Sequence, residues 1–184
     1  AERVFRTVDP NLKFTAKVAE GAPVAAGTIL YTVEGRARSL LTAERVSLNL
    51  IQRMCGIATA TRRYVDAIPT GSKTRITDTR KTTPGLRLLE RYAVRRGGGH
   101  NHRNDLGSAV LIKDNHIVAA GGVKQAITAA KARAPHTSKI ECEIDSLGQL
   151  EEALTAGADI ILLDNMDTAT TAEAVKRTRG RALL

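Results

Sequence analysis

Lys139–Asn165, KIECEIDSLGQLEEALTAGADIILLDN, carries one full round of the repeat that decides the fold. Ile140, Cys142 and Ile144 alternate with Glu141, Glu143 and Asp145, the two-residue period of a strand over Lys139–Ile144. Ser146 stands where a helix N-cap belongs, Leu147, Leu150 and Leu154 share one face of the helix that follows, and Gly157 supplies its stop. A second apolar run, Asp159–Leu163, comes next and ends in Asp164-Asn165. Strand, helix and strand in so short a stretch call for parallel pairing through a right-handed crossover.

The unit recurs on both sides. Upstream, a strand near Arg75–Thr79 leads into Arg80-Lys81-Thr82-Thr83. Thr83 is the expected N-cap and Pro84 the first residue of a helix carrying Leu86, Leu89 and Ala93. Arg95 and Arg96 suit its last turn, and Gly97 is the expected left-handed cap. The strand Ala109–Ile112 ends in Lys113-Asp114-Asn115, and a helix with Val123, Ala126, Ile127 and Ala130 on one face runs to Pro135. After Asp164-Asn165 another helix starts near Thr170. Four such repeats fit an open doubly wound sheet and a (β/α) barrel alike. Before them, residues 11–37 read as short strands, Lys13–Val18 and Thr28–Val33, punctuated by glycine turns, the tail of a small mixed domain. Leu40 to Ile68 reads as one long helix with Leu50, Met54, Ile57 and Thr61 on a face and Gly56 marking a kink or a close contact.

The chain has 184 residues, 42% of them hydrophobic and spread along its length, which implies a packed globule. No apolar run is long enough to span a membrane, and Ala1-Glu2-Arg3-Val4 lacks the layout of a signal peptide. The opening without Met and the close at Ala182-Leu183-Leu184 suggest a fragment lacking both ends. Cys55 and Cys142 have neither metal-ligand nor disulfide spacing and read as plain buried thiols of a cytoplasmic protein. The net charge is +9, and most of the excess lies between Lys73 and Arg103, where nine Lys or Arg face two acids, Asp78 and Glu90. That block implies an anionic partner. Nucleic acid is disfavoured, because aromatics are 3% of the chain with no Trp, too few for a stacking platform.

The positions of the charges point to a site. Arg80 and Lys81, Lys113, Glu143 and Asp164 fall at or near the C-terminal ends of successive strands, the edge where both architectures bind ligands. Thr79-Arg80-Lys81-Thr82 combines hydroxyls with a guanidinium that grips carboxylate or phosphate by two parallel bonds and an ammonium point charge. Gly97-Gly98-Gly99 allows close backbone approach to a ligand, and His102-Arg103 then offers donors. These glycines follow a helix, which excludes the dinucleotide-binding turn. Glu143 and Asp164, opposite so many cations, suit a Mg²⁺-bound polyphosphate or ribose hydroxyls. No Ser/His/Asp order and no Walker loop occurs, and neither His100 nor His116 has zinc-type partners.

Six motifs in register now carry a resemblance: Ala43–Asn49 (AERVSLN), Gly56–Thr59 (GIAT), Asp78–Arg87 (DTRKTTPGLR), Gly97–Gly99 with Asn101-His102-Arg103, Leu111–His116 (LIKDNH) and Leu162–Asn165 (LLDN). In this order the chain resembles the quinolinate phosphoribosyltransferase family along nearly its whole length. The resemblance implies a decarboxylating pentosyltransferase of NAD biosynthesis that joins quinolinate to phosphoribosyl pyrophosphate, giving nicotinate mononucleotide, pyrophosphate and CO₂. It implies an α/β fold, an incomplete (β/α) barrel of parallel strands over residues 40–184, after the remnant of an N-terminal α/β sandwich domain over residues 1–39. It further implies a homodimer-based enzyme in which Arg45 enters the partner subunit's site. By resemblance, Arg80, His102 and Arg103, helped by Thr79, line the place for the quinolinate carboxylates. Lys81 and Lys113 face the phosphoribosyl pyrophosphate and quinolinate region, while Glu143 and Asp164 address the ribose and the Mg²⁺-pyrophosphate. Lys113, Glu143 and Asp164 are thus the expected catalytic groups, and Mg²⁺ is the expected cofactor, held by Glu143 and Asp164 directly or through pyrophosphate. The family also carries an earlier part of the sandwich and a later glycine-rich segment that binds the 5′-phosphate, neither of which is within these residues. A related protein of the same fold with another substrate is the nearest rival, and the Arg80, His102, Arg103 set argues against it.

Overall fold

Phe5, Phe14 and Tyr31 meet in a small aromatic cluster, with Phe14 and Tyr31 stacked at 4.8 Å between centroids and Phe5 edge-on to Tyr31 at 6.2 Å. They come from helix α1 (Glu2–Val8) and strands β1 (Lys13–Ala16) and β2 (Tyr31–Glu34). Helix α1 has no readable start signal, since Ala1 makes no side-chain cap. The strands pair antiparallel with Phe14 opposite Val33, and Leu12 and Ala43 bury against the aromatics. This fixes the first turns of the long helix α2 (Ala37–Asp66). The structure, a computed structural model, describes residues 1–184 in two units, 1–102 and 103–184. Neither contains a helix long and apolar enough to cross a membrane.

Within the first unit α2 packs against α3 (Arg87–Arg96), and several expectations are corrected there. Helix α3 does not start at Thr83-Pro84. Gly85 sits at φ +76°, outside helical space, so residues 83–86 form a turn closed by the Leu86 N–H donating to the Thr83 carbonyl at 3.0 Å. Gly97 is not the left-handed cap either, for its φ is −72°, and Gly98 at +90° takes that conformation. A side chain on Gly97 would lie 2.5 Å from the Ala58 carbonyl oxygen, and one on Gly99 would lie 2.8 Å from Thr61 Cγ2. The glycine run therefore lets backbone approach helix α2, where the sequence suggested approach to a ligand. Gly56, by contrast, has no heavy atom within 4 Å of where a Cβ would stand, so it marks no close contact within the chain. The strand expected at Arg75–Thr79 is reduced to a single parallel bridge, Thr77 with His100.

The second unit holds the strand–helix repeat: β3 (Val110–Ile112), α4 (Asp114–Ala120), α5 (Val123–Arg133), β4 (Ile140–Ile144), α6 (Leu147–Ala156), β5 (Ile160–Leu163) and α7 (Thr168–Thr178). One helix was expected after Lys113 and two form, because Gly121 at φ +83° and Gly122 at +142° break the run. Ser146 caps α6 by accepting from the Gln149 N–H, and Gly157 ends it at φ +76°, both as expected. The three strands are parallel in the order β3-β4-β5, with Ile112 beside Cys142 and Glu143 beside Leu162. Ile140, Cys142 and Ile144 face a core built with Ile127, Leu150, Ala153 and Ile161. Cys142 is fully buried, whereas Cys55, expected to be buried, is exposed on α2. The α/β class is thus observed directly.

Candidate active site

In the first unit the Thr77–His100 bridge is extended by the Asp78 N–H donating to the His100 carbonyl at 3.0 Å and the His100 N–H donating to the Ile76 carbonyl at 2.8 Å. Thr79, Arg80 and Lys81 follow this bridge at once. The Thr79 hydroxyl accepts from the Lys81 N–H at 2.9 Å, a turn that places the Arg80 and Lys81 side chains side by side in sequence on one tight loop. Arg87 braces the loop from α3, donating to the Arg80 carbonyl and the Thr82 hydroxyl, each at 3.1 Å. Behind it, Arg53 of α2 donates to Glu90 at 2.6 and 2.8 Å and to the Thr83 hydroxyl, while Glu90 also accepts from the Thr83 N–H at 3.2 Å. Burial pushes the Glu90 carboxyl upward, but the Arg53 and Thr83 hydrogen bonds and the Arg53 charge outweigh it and hold Glu90 below its ordinary value. Arg80 is half-buried, and its Nε is enclosed with no hydrogen-bond partner.

His102 is fixed from both sides. Its N–H donates to Asp78 Oδ1 at 2.7 Å, and its carbonyl accepts from Arg91 at 2.8 Å. Asp78 and Arg91 pair at 3.4 Å, their side chains 6% and 9% exposed. Asn101 donates to the other Asp78 oxygen and to the Arg91 carbonyl. Asp78, Arg91, Arg53, Arg87 and Glu90 had no assigned role in the sequence reading. The signal available was that Asp78 and Glu90 are the only acids in a strongly basic block. Arg45 is exposed on α2, in the third turn of the helix.

In the second unit the charged positions gather at one sheet edge. Lys113 follows β3, Glu143 is the penultimate residue of β4, and Asp164 follows β5. Register puts Lys113 next to Glu143, and Lys113 Nζ lies 3.1 Å from Glu143 Oε2, with Glu143 only 16% exposed. The Asp164 N–H continues the ladder by donating to the Ile144 carbonyl at 2.9 Å. Its carboxylate accepts from Asn165 at 2.8 Å, where Asn165 adopts φ +52° to turn the chain. Arg103 donates to the Ala109 carbonyl at 2.9 Å. His116 accepts from the Lys113 N–H at 3.0 Å and so belongs to the start of α4. Such a set can neutralise an anion and, through its carboxylates, meet hydroxyls or a hard cation.

Comparison with known proteins follows the same line. The C-terminal domain family of quinolinate phosphoribosyl transferase matches residues 57–184, and the N-terminal domain family of the same enzyme matches residues 1–55. The chain is 49% identical over 179 residues to a probable nicotinate-nucleotide pyrophosphorylase (carboxylating) of Synechocystis, covering 97% of this chain and 60% of that protein. It is 51% identical over 166 residues to the nicotinate-nucleotide pyrophosphorylase (carboxylating) of Mycobacterium leprae, covering 90% of this chain and 58% of that one. Among solved structures, the nicotinate-nucleotide pyrophosphorylase of Ehrlichia chaffeensis superposes with a TM-score of 0.92 at 40% identity, covering 98% of this chain and 65% of that one. The chain spans about 60% of the length of the curated relatives it matches. With both domain families matched in order along its length, the chain belongs to the quinolinate phosphoribosyl transferase family.

Proposed function

We propose that the protein transfers the phosphoribosyl group of phosphoribosyl pyrophosphate to quinolinate and decarboxylates the adduct, giving nicotinate mononucleotide, pyrophosphate and CO₂ for NAD synthesis. One observation carries this beyond family membership: Arg80 and Lys81 stand on the loop after the Thr77 bridge, and Lys113 stands at the end of β3 with the Glu143 carboxylate beside it. Two anions have to be brought together, and fixed cations lower their repulsion where water is thin. Arg80, His102 and Arg103 bind the two carboxylates of quinolinate, and Thr79 adds a hydrogen bond. Lys81 and Lys113 hold the phosphoribosyl pyrophosphate side, and Glu143 and Asp164 meet the ribose. The ring nitrogen attacks the anomeric carbon as the carbon–oxygen bond to pyrophosphate breaks. Lys113 steadies the departing charge, and Glu143 and Asp164 suit the positive sugar. The pyridinium ring then takes up the electron pair of the bond to CO₂, and a proton replaces it.

The donor set also fits Mg²⁺. No three His, Cys, Asp or Glu side chains converge as a cage, and a cation that keeps its waters and takes phosphate oxygens needs only one or two carboxylates. Glu143 and Asp164 are the residues to hold it, directly or through pyrophosphate. When bound, it neutralises the leaving group.

For the architecture we favour an incomplete (β/α) barrel over residues 40–184, after a sandwich remnant over residues 1–39 that includes the β1–β2 ribbon. The strand order supports this reading, being consecutive where a doubly wound sheet reverses, and Leu183 adds a further parallel bridge beside Ile160. We also favour a cytoplasmic homodimer with Arg45 acting in the partner's site. Arg45 lies on α2 among exposed apolar residues, Leu41 and Val46, and both thiols are free. The test uses the full-length protein and carboxyl-labelled quinolinate. Labelled CO₂ is expected only when phosphoribosyl pyrophosphate and Mg²⁺ are both supplied. Release without the sugar donor, or none with it, overturns the reading.

A further inference from the structure

We propose that Asp78, with Arg91, is a positioning residue that acts through His102 to set the affinity for the dicarboxylate substrate. The inference rests on the quinolinate reading above and adds residues to it. Two stretches of the first unit bear the ligand-binding side chains, Thr79–Lys81 and His102. Asp78 belongs to one by its backbone and to the other by its side chain. Its N–H donates to the His100 carbonyl at 3.0 Å, which locks the start of the Thr79–Lys81 loop to the neighbouring segment. Its carboxylate then receives the His102 N–H at 2.7 Å and the Asn101 amide. Arg91 completes the clamp, donating to the His102 carbonyl at 2.8 Å and pairing with Asp78 at 3.4 Å. Both peptide groups that flank the His102 side chain are thus held by one nearly buried ion pair.

Such a pair adds little net stability, because desolvation offsets most of the attraction. What it supplies is a fixed geometry, since neither charge can leave its partner without leaving a buried ion short of its counter-charge. An imidazole that must meet a rigid aromatic dicarboxylate gains from that fixity. A misplacement of about 1 Å in a positioned group can cost on the order of a hundredfold. Asp78 does not touch substrate in this scheme, so its removal should be felt only where His102 is felt.

The perturbation is Asp78→Asn in the full-length enzyme. Whichever way the amide turns, one of its donors faces the His102 N–H and Arg91 or faces the Asn101 amide, so one tie is lost at nearly constant volume. The expected result is a rise in KM for quinolinate of roughly tenfold to a hundredfold, with KM for phosphoribosyl pyrophosphate changed by less than about threefold. In a His102→Ala background the same substitution should add less than about twofold, because the group it positions is gone. An equal rise for both substrates, or a full-sized effect in the His102→Ala background, overturns the proposal. Should Asp78→Asn fail to fold, Asn101→Ala removes the ties to Asp78 and to the Arg91 carbonyl and leaves the ion pair. It should raise KM for quinolinate alone by about threefold or more, and a lowered Tm with unchanged KM overturns the idea. A wild-type enzyme that turns over no quinolinate overturns the substrate reading and this inference together, whereas an active wild type with unselective variants overturns only the inference.

Discussion

Replacing Gly97 by alanine isolates one physical effect. At φ −72° alanine is at ease, so no backbone strain enters. The new Cβ would stand 2.5 Å from the Ala58 carbonyl oxygen and 2.6 Å from Thr61 Cβ, where ordinary contact begins at 3.4 Å. Neither atom is the free end of a side chain. One is helix backbone, and the other is the base of a β-branched residue whose hydroxyl donates to the Ile57 carbonyl at 2.8 Å. Helix α3 must retreat from α2 by nearly 1 Å, and overpacking of this kind costs about 1–3 kcal/mol. Alanine returns about 0.4–1 kcal/mol by stiffening the unfolded chain. The net expectation is a loss of about 1–2 kcal/mol, since a backbone contact puts the clash toward the upper end. At a urea slope of about 2 kcal/mol/M, the midpoint of unfolding should fall by about 0.5–1 M. Gly56→Ala is the matched comparison, because Gly56 sits inside α2 with open space around it. That substitution should stabilise by about 0.5–1 kcal/mol. If Gly97→Ala proves as stable as wild type, or if the two variants shift the midpoint in the same direction, the packing argument is wrong.

Thiol titration should find Cys55 reacting at once and Cys142 only on unfolding, since Cys55 is exposed while burial and the Glu143 charge push the Cys142 thiol up to about 11. Two fast thiols in the folded protein would contradict this. Glu90, held below its ordinary value of 4.5, contributes stability that is complete above that pH and is lost as pH falls through its lower folded value. The destabilisation measured for Glu90→Gln should therefore be full at neutral pH and shrink below pH 4.5, and a pH-independent difference would refute the linkage. For Arg45, mixing inactive Arg45→Ala with inactive Lys113→Ala subunits should restore about a quarter of wild-type activity after random exchange. No recovery despite demonstrated exchange would place Arg45 in its own subunit's site.

The parts of the fold that were legible share a cause: each is fixed by local chemistry. The alternation of Ile140, Cys142 and Ile144, the Ser146 cap and the Gly157 stop are settled within a few residues, and the structure keeps all three. The misreadings arose where a distant contact decided. Thr83 has the look of an N-cap, but its hydroxyl is engaged by Arg53 from another helix and Gly85 turns the chain first. Gly97–Gly99 has the composition of a ligand loop, but the neighbour its glycines admit is helix α2. The long helix α2 was legible in extent, while Cys55 was not legible as exposed, because an apolar neighbourhood in sequence does not name the face on which a residue falls. At the candidate site, Lys113, Glu143 and Asp164 could be placed at one edge because strand ends are local features. Asp78 and Glu90, which hold His102 and the Thr83 turn in the first unit, could not, since a count of charge treats them as dilution.

That count misleads in a specific way. Of the cations between Lys73 and Arg103, Arg91 is consumed by Asp78 and the His102 carbonyl, and Arg87 by the Arg80 carbonyl and Thr82. Arg95 and Arg96 lie against the Tyr92 ring at 5.8 and 4.9 Å. Arg91 is therefore buried framework and Arg87 a brace, while Arg95 and Arg96 stay exposed beside Tyr92. Arg80 differs from these four, since its Nε is enclosed and meets no acceptor. An enclosed donor without an acceptor costs about 1–3 kcal/mol, which a surface arginine avoids by turning to water. The bracing from Arg87, Arg53 and Glu90 keeps the loop from relaxing to relieve it. A fold that holds a guanidinium in that state favours an arriving carboxylate twice, by its charge and by the acceptor it brings. A merely solvated basic face offers only the first of these, so the donor's enclosure, more than the net charge, is what supports the proposed place of Arg80 in the site.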